Sequence, residues 1–252
     1  MRSYQETTEC RMAFLQRTLD DPAPAPCGRC DRCAGPWYAA GVSDAAVTTA
    51  RSELDRVGVE LAPRTLWPTG MARLGVPVSG RIGPGDNAEP GRVLARYTDL
   101  GLGQRLRDLI QAPDAPVPNW VLPHCYRVLK EWDWTQRPVA VASVPSLRHP
   151  ELVGSLAAAL ARAGRLVELG ALTLDPAARP LEPARNSAFR LQQVFGRFRP
   201  SGVQQQWLDT PAGPILLVDD LVDSRWTMTV AAMLFRSAGA EAVLPFALAA
   251  VG

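Results

Sequence analysis

Ile215-Leu216-Leu217-Val218-Asp219-Asp220-Leu221-Val222-Asp223-Ser224-Arg225-Trp226-Thr227 carries four consecutive apolar residues into a pair of acids and then into a loop. A short, fully apolar run reads as a strand buried on both faces, which is how the strands of parallel sheets read. Similar runs occupy 139–144 and 242–249, and helix-length segments occupy 150–163, 186–198 and 227–238. Strands alternating with helices predict an α/β fold, a parallel sheet with helices on both faces. Such sheets bind ligands beyond the carboxyl ends of their strands. Asp219 and Asp220 stand at one of those ends, where acids can hold ribose hydroxyls or a metal. The loop amides and the N-terminus of the next helix are available to a phosphate.

The run 215–220 also mimics a Walker B strand. A P-loop, however, needs G-x-x-x-x-G-K-[ST], and the only lysine, Lys130, stands in Val128-Leu129-Lys130-Glu131. The chain by itself is therefore no P-loop motor. No G-x-S-x-G elbow is present for a hydrolytic triad. Of the two histidines, His124 opens a helix beside Cys125 and reads as packed or exposed. His149-Pro150 reads as a helix start beside the first sheet loop, a neighbourhood where ligand residues gather.

Upstream of the sheet, Ala112-Pro113-Asp114-Ala115-Pro116-Val117-Pro118 reads as a stiff linker. A helix over 119–133 opens the last domain, set at 119–252. The region 39–118 reads as a mixed connector. It holds a helix over 44–57, a short strand at 59–61, a turn-rich stretch over 63–90 and a largely helical stretch over 92–110. Helix, turn and basic loop suit a winged-helix-like module and equally a plain connector. Arg64, Arg73, Arg81, Arg92, Arg96, Arg105 and Arg107 are candidates for a DNA backbone, or else form a solvated face with pairs such as Arg105–Asp108. Trp120, Trp132 and Trp134 could stack on bases, although core packing suits at least two of them better.

At the other end stand Cys10, Cys27, Cys30 and Cys33, spaced C-x16-C-x2-C-x2-C. Two-residue gaps let a tight turn aim successive thiolates at one point, and four thiolates about 2.3 Å from a cation make a closed tetrahedral site. A structural zinc is expected over 1–38, in a small helical module with four cysteine ligands. Disulfides would suit a secreted chain, and no signal-peptide pattern opens the sequence. An iron–sulfur cluster would favour C-x2-C-x2-C-x3-C-P, which is not present. Cys125 reads as an ordinary buried thiol.

The chain of 252 residues has 47% hydrophobic residues and a net charge of +2, enough for one large domain or two smaller ones. So mild a charge demands no nucleic-acid partner. All basic residues but Lys130 are arginine, which matches a G+C-rich genome as readily as phosphate contact. No apolar run reaches membrane-spanning length, and a cytoplasmic location is expected.

Arg11-Met12-Ala13-Phe14-Leu15 after Cys10, with the Cys27-Gly28-Arg29-Cys30-Asp31-Arg32-Cys33 ending, resembles the zinc-binding module of RecQ-family DNA helicases over residues 1–36. In that family the module follows two motor domains and precedes a winged-helix domain. The resemblance implies the accessory part of an ATP-dependent 3′–5′ DNA helicase of repair and recombination. Its partners would be single-stranded or forked DNA and motor domains in cis or trans. Residues 1–3 would then be an internal start or a fragment boundary.

Over 137–252 the chain is similar to type I phosphoribosyltransferases. That resemblance implies Asp219 and Asp220 on the ribose 2′ and 3′ hydroxyls, with Asp223, Ser224, Arg225 and Thr227 in the phosphate loop. Ser143 and Ser146 would lie where the first loop meets pyrophosphate, and magnesium would accompany phosphoribosyl pyrophosphate. Arg185-Asn186-Ser187-Ala188-Phe189-Arg190-Leu191 is similar to the ComF-like branch, associated with DNA uptake. The stretches 67–70 and 89–92 look like the connector of RecQ-like helicases that carry such a domain. The chain departs from the pattern at Arg225, where the family's loop has glycine, and at Trp226 after it. An arginine there either strains the loop or lends its charge to the phosphate. An active transferase, a non-catalytic phosphoribosyl or nucleotide binder, and a purely structural tail remain the alternatives to the helicase reading.

Overall fold

The computed structural model describes residues 2–38, 41–54, 58–178, 181–182, 186–210 and 213–251. The end of the helix expected over 44–57, and Arg185, lie outside them. The chain divides into two compact units, Met1–Glu53 and Leu54–Gly252.

The first unit holds α1 (Arg2–Glu6), α2 (Arg11–Thr18) and α3 (Asp44–Leu54), the last of which ends at the division. Among its described residues only Cys10 and Ala13 are buried. So small an apolar core cannot offset the entropy of ordering the chain.

The second unit contains β1 (Val59–Leu61), β2 (Gly91–Arg96), α4 (Leu102–Gln111), α5 (Leu122–Glu131), β3 (Ala140–Ser143), α6 (Pro150–Gly164), β4 (Val167–Ala171), β5 (Thr173–Leu174), α7 (Ser187–Val194), β6 (Phe198–Arg199), α8 (Gly202–Leu208), β7 (Ile215–Val222), α9 (Trp226–Ser237) and β8 (Val243–Ala250). Six strands form one sheet in the order β1-β2-β8-β7-β3-β4. Only β1 is antiparallel to its neighbour; every other pair is parallel. A separate two-stranded ribbon joins β5 to β6.

Side-chain alternation along β7 divides the core. Ile215 and Leu217 face one cluster, with Phe235 and Val230 of α9, whereas Leu216 and Val218 face the other, with Leu156 and Leu160 of α6 and Leu106 of α4. This is an α/β architecture with helices on both faces of a mostly parallel sheet.

The connector behaves differently from its sequence reading. Residues 92–96, expected to be helical, form β2, wedged between β1 and β8. A Cβ on Gly91 would sit 2.5 Å from the Pro245 carbonyl oxygen, so only glycine allows β2 so close to β8. A three-residue apolar run between arginines has no period of its own, and the neighbouring strand decides its state. The helix of this stretch begins at Leu102. Residues 59–61 and 91–96 thus belong to the same sheet as the last third of the chain.

Candidate functional site

In the first unit, the sulfurs of Cys10, Cys27, Cys30 and Cys33 all lie within 4.8 Å of one another, with Cys10 and Cys30 at 4.0 Å. Tetrahedral thiolates about 2.3 Å from a zinc ion would stand slightly under 4 Å apart, so the four residues fit a divalent ion such as zinc. Cys10 precedes α2, where amide hydrogens point outward. Its sulfur receives the amides of Ala13 and of Cys27, the latter at 3.2 Å, and these push its pKa down to about 6. The Arg11 amide lowers Cys30. The Gly28 amide favours the Cys33 thiolate as well, yet Cys10 and Cys30 drive Cys33 up to about 11. Without a cation the cluster cannot hold all its thiolates; a divalent cation removes that repulsion.

The neighbours of the ligands lock the two halves of this cluster together. Arg11, next to Cys10, donates from Nε and Nη2 to Asp31, next to Cys30, at 2.6 and 2.9 Å, and from Nη1 to the Tyr4 carbonyl at 2.6 Å. This forked pair raises Arg11 and holds Asp31 below the usual carboxylate range. Four sulfurs around one ion would leave no open position, which is the ligand set of a structural site.

In the second unit the chain leaves β3 through α6 toward β4, but leaves β7 through α9 toward β8. The two crossovers part between β3 and β7, which makes this the switch point of the sheet. Pairing of β3 with β7 ends at Ser143 and Val218, while β7 runs on beside β8. Asp219 and Asp220 occupy that extension, and alternation turns Asp219 toward α9 and Asp220 toward α6. Two adjoining cavities open here, of about 280 and 420 Å³. Asp219 and Thr227 line both.

Asp220 is held on every side. Its Oδ2 lies 2.7 Å from His149 Nδ1 and 3.3 Å from Ser146 Oγ, and its Oδ1 accepts the Leu221 amide at 2.7 Å. Ser146 Oγ in turn accepts the His149 amide at 3.0 Å. Asp219 is buried and accepts the Asp220 amide at 2.9 Å; burial first, then the charge of Asp220, pushes it well above the carboxylate range. A cation or a hydroxyl donor is what this crowded pair lacks.

The loop after β7 is braced from outside. Arg225 adopts the left-handed conformation, φ 68° and ψ −3°, a backbone state suited to glycine. Its guanidinium donates to the Ala62 carbonyl at 2.8 Å. Arg64 donates to the Ser224 carbonyl at 2.8 and 3.1 Å and lies over Trp226. Trp226 is buried, stacks on Trp67 and donates to Ser187 Oγ at 2.7 Å. Asp223 pairs with Arg190.

Asp219, Asp223, Ser224, Arg225 and Thr227 therefore line the α9-side cavity, and Asp219, Asp220, Ser146 and Thr227 the α6-side cavity. Ser143 ends β3, buried in the sheet, and lines neither. His149, read as a helix start beside the first sheet loop where ligand residues gather, is the side chain that meets Asp220. Arg64 gave none, since 160 residues separate it from Ser224.

Several arginines considered for DNA are engaged within the fold. Arg92 lies over Trp132, Arg105 over Trp120, and Arg107 reaches the Tyr97 carbonyl. Trp132 is buried and stacks on Trp134. Cys125 is buried, and burial pushes its thiol up to about 12. Among the described residues, no helix is long and apolar enough to cross a membrane. No protein-family model matches the chain, and no curated protein matches it.

Proposed function

We propose that this chain is an accessory portion of a RecQ-type ATP-dependent DNA helicase, acting with motor domains it does not contain. Its first unit is a zinc-stapled module that helps to seat DNA. Its second unit is a phosphoribosyltransferase-like domain that binds a phosphorylated ribose without turning it over. The observation that carries the second half is the acid pair at the switch point, beside the start of α9. One carboxylate or its neighbour can receive sugar hydroxyls, and the first amides of α9 suit a phosphate. Support for binding rather than turnover comes from Asp220, whose oxygens are already occupied, and from Arg225 in the loop.

The helicase half is supported by the cysteine geometry and by the Arg11–Asp31 clamp that fixes it. Exposed Arg73, Arg81 and Arg96 remain available to a DNA backbone.

Titration calorimetry with ribose 5-phosphate and with phosphoribosyl pyrophosphate and Mg²⁺ tests the second half. Heat is expected from the unmutated chain and not from Asp219→Ala with Asp220→Ala; no heat with either ligand rejects it. Forked DNA should bind with an affinity that falls steeply with salt. Failure to bind it at low salt rejects the DNA role.

A further inference from the structure

The α6-side cavity of the second unit, about 420 Å³, holds side chains that a phosphorylated ribose at α9 does not engage. Ile110, Val144, Phe198 and Leu221 give it apolar walls. It is large enough for a ring-sized ligand, since a dry cavity of about 150 Å³ admits benzene.

Two buried polar groups are set into those walls. Arg197 lines the cavity and is only 6% exposed. It stands in the turn between α7 and β6, where its amide donates to the Val194 carbonyl at 3.2 Å and its carbonyl accepts the Asp175 amide at 2.8 Å. Burial lowers its pKa, because a guanidinium withdrawn from water loses solvation that an anion can restore. His149 is 2% exposed and lines the same cavity. Asp220 accepts from its Nδ1 at 2.7 Å, which makes Nε2 of the neutral ring a bare acceptor. That Nε2 is buried and has no hydrogen-bond partner. Buried polar atoms without partners are costly and rare, and a donor on a ligand would satisfy this one.

Charge limits what the cavity can accept. The amides that open α6 are no seat for an anion, because Asp114 accepts those of Glu151 and Leu152 at 2.9 and 3.1 Å. Asp219 and Asp220 also line the cavity, and its second cation, Arg148, is exposed, where a pair is worth little. One buried guanidinium sharing a cavity with two acids suits a single carboxylate and disfavours a polyphosphate.

We infer that the α6-side cavity binds a small aromatic or heteroaromatic carboxylate that also carries an O–H or N–H. The carboxylate pairs with Arg197, and the hydroxyl or ring N–H donates to His149 Nε2. This site stands whether or not a ribose phosphate binds at α9.

Titration calorimetry on the whole chain compares para-hydroxybenzoate and pyrrole-2-carboxylate, whose donors lie far from and next to the carboxylate, with benzoate and para-hydroxybenzamide. At least one of the first two should bind about tenfold tighter than either control, a difference of about 1.4 kcal/mol. His149→Asn, whose side-chain amide can still donate to Asp220, should lower that ligand to the affinity of benzoate and leave benzoate unmoved. Arg197→Gln should weaken that ligand and benzoate alike, by about tenfold or more, and leave para-hydroxybenzamide unmoved. Arg197→Lys keeps the charge without the fork, should lose less, and serves as the comparison if the glutamine variant fails to fold. No saturable heat from any of the four compounds at millimolar concentration overturns the inference. So does benzoate binding as tightly as the donor-bearing carboxylates, or inorganic pyrophosphate that displaces them and binds more tightly. Heat from ribose 5-phosphate is read separately and bears only on the function proposed above.

Discussion

The two units reach order by different physics. In the first, only Cys10 and Ala13 are buried among the described residues, and four sulfurs from a helix start and a knuckle converge within 4.8 Å. In the second, a mostly parallel sheet buries apolar side chains on both faces. One unit offers four sulfurs placed for a metal ion and little buried area, the other a core built on area removed from water. A metal ion on the four sulfurs would tie folding of the first unit to metal and to the protonation of its thiols, whereas the second unit rests on buried apolar area.

The sharpest way to break that contrast is to remove the metal. Structural zinc in small modules contributes about 10–16 kcal/mol of apparent folding free energy. A strong chelator, or Cys10→Ser, should abolish the ordered structure of 2–38 as read by limited proteolysis, while the thermal transition of the second unit stays put. A second unit that melts with the first would refute the division of labour.

A core change should produce the reverse pattern. Leu217→Ala, at a fully buried position in the middle of the sheet, should cost about 2–5 kcal/mol in denaturant unfolding. Metal binding by the cysteine module should be unaffected.

A pH effect of the second unit follows from Asp219. Its folded pKa lies well above the unfolded value, so the folded state binds the proton more tightly. Stability is then greatest below the unfolded pKa, about 4, and declines as pH rises toward the folded value. Asp219→Asn keeps the acceptor for the Asp220 amide without the charge. It should raise the melting temperature at pH 7 and flatten its decline with pH; an unchanged pH profile would show that the carboxylate is not strained by burial.

The smallest effect is expected at Arg225. Holding a non-glycine residue in the left-handed region costs about 1–2 kcal/mol, but glycine loses more entropy on folding and forfeits the bond to Ala62. Arg225→Gly should shift stability by less than about 1 kcal/mol while increasing protease cleavage of the loop, because one of its braces is gone.

Much of this was legible in the chain. Cysteine spacing alone pointed to the metal centre, since three ligands lie in seven residues and tight turns are local. Continuous apolar runs pointed to a doubly covered sheet, and two acids after one of them to its ligand end. The strand at 91–96 was not legible, because Val93, Leu94 and Ala95 between arginines carry no helical or strand period. Its state comes from β8, some 150 residues away along the chain. The same holds for His149 on Asp220, separated by 71 residues, and Arg64 on Ser224, separated by 160.

What the sequence determined by itself was therefore local: which residues can bind a soft metal, which segments must be buried on both faces, and where acids meet a helix start. Tertiary structure alone decided which helix start stays open and which is sealed by Asp114. It also decided which imidazole nitrogen is left unpaired, and that an arginine adopts a backbone state suited to glycine. Each of those outcomes depends on hydrogen bonds between groups that only the folded chain brings within reach of each other.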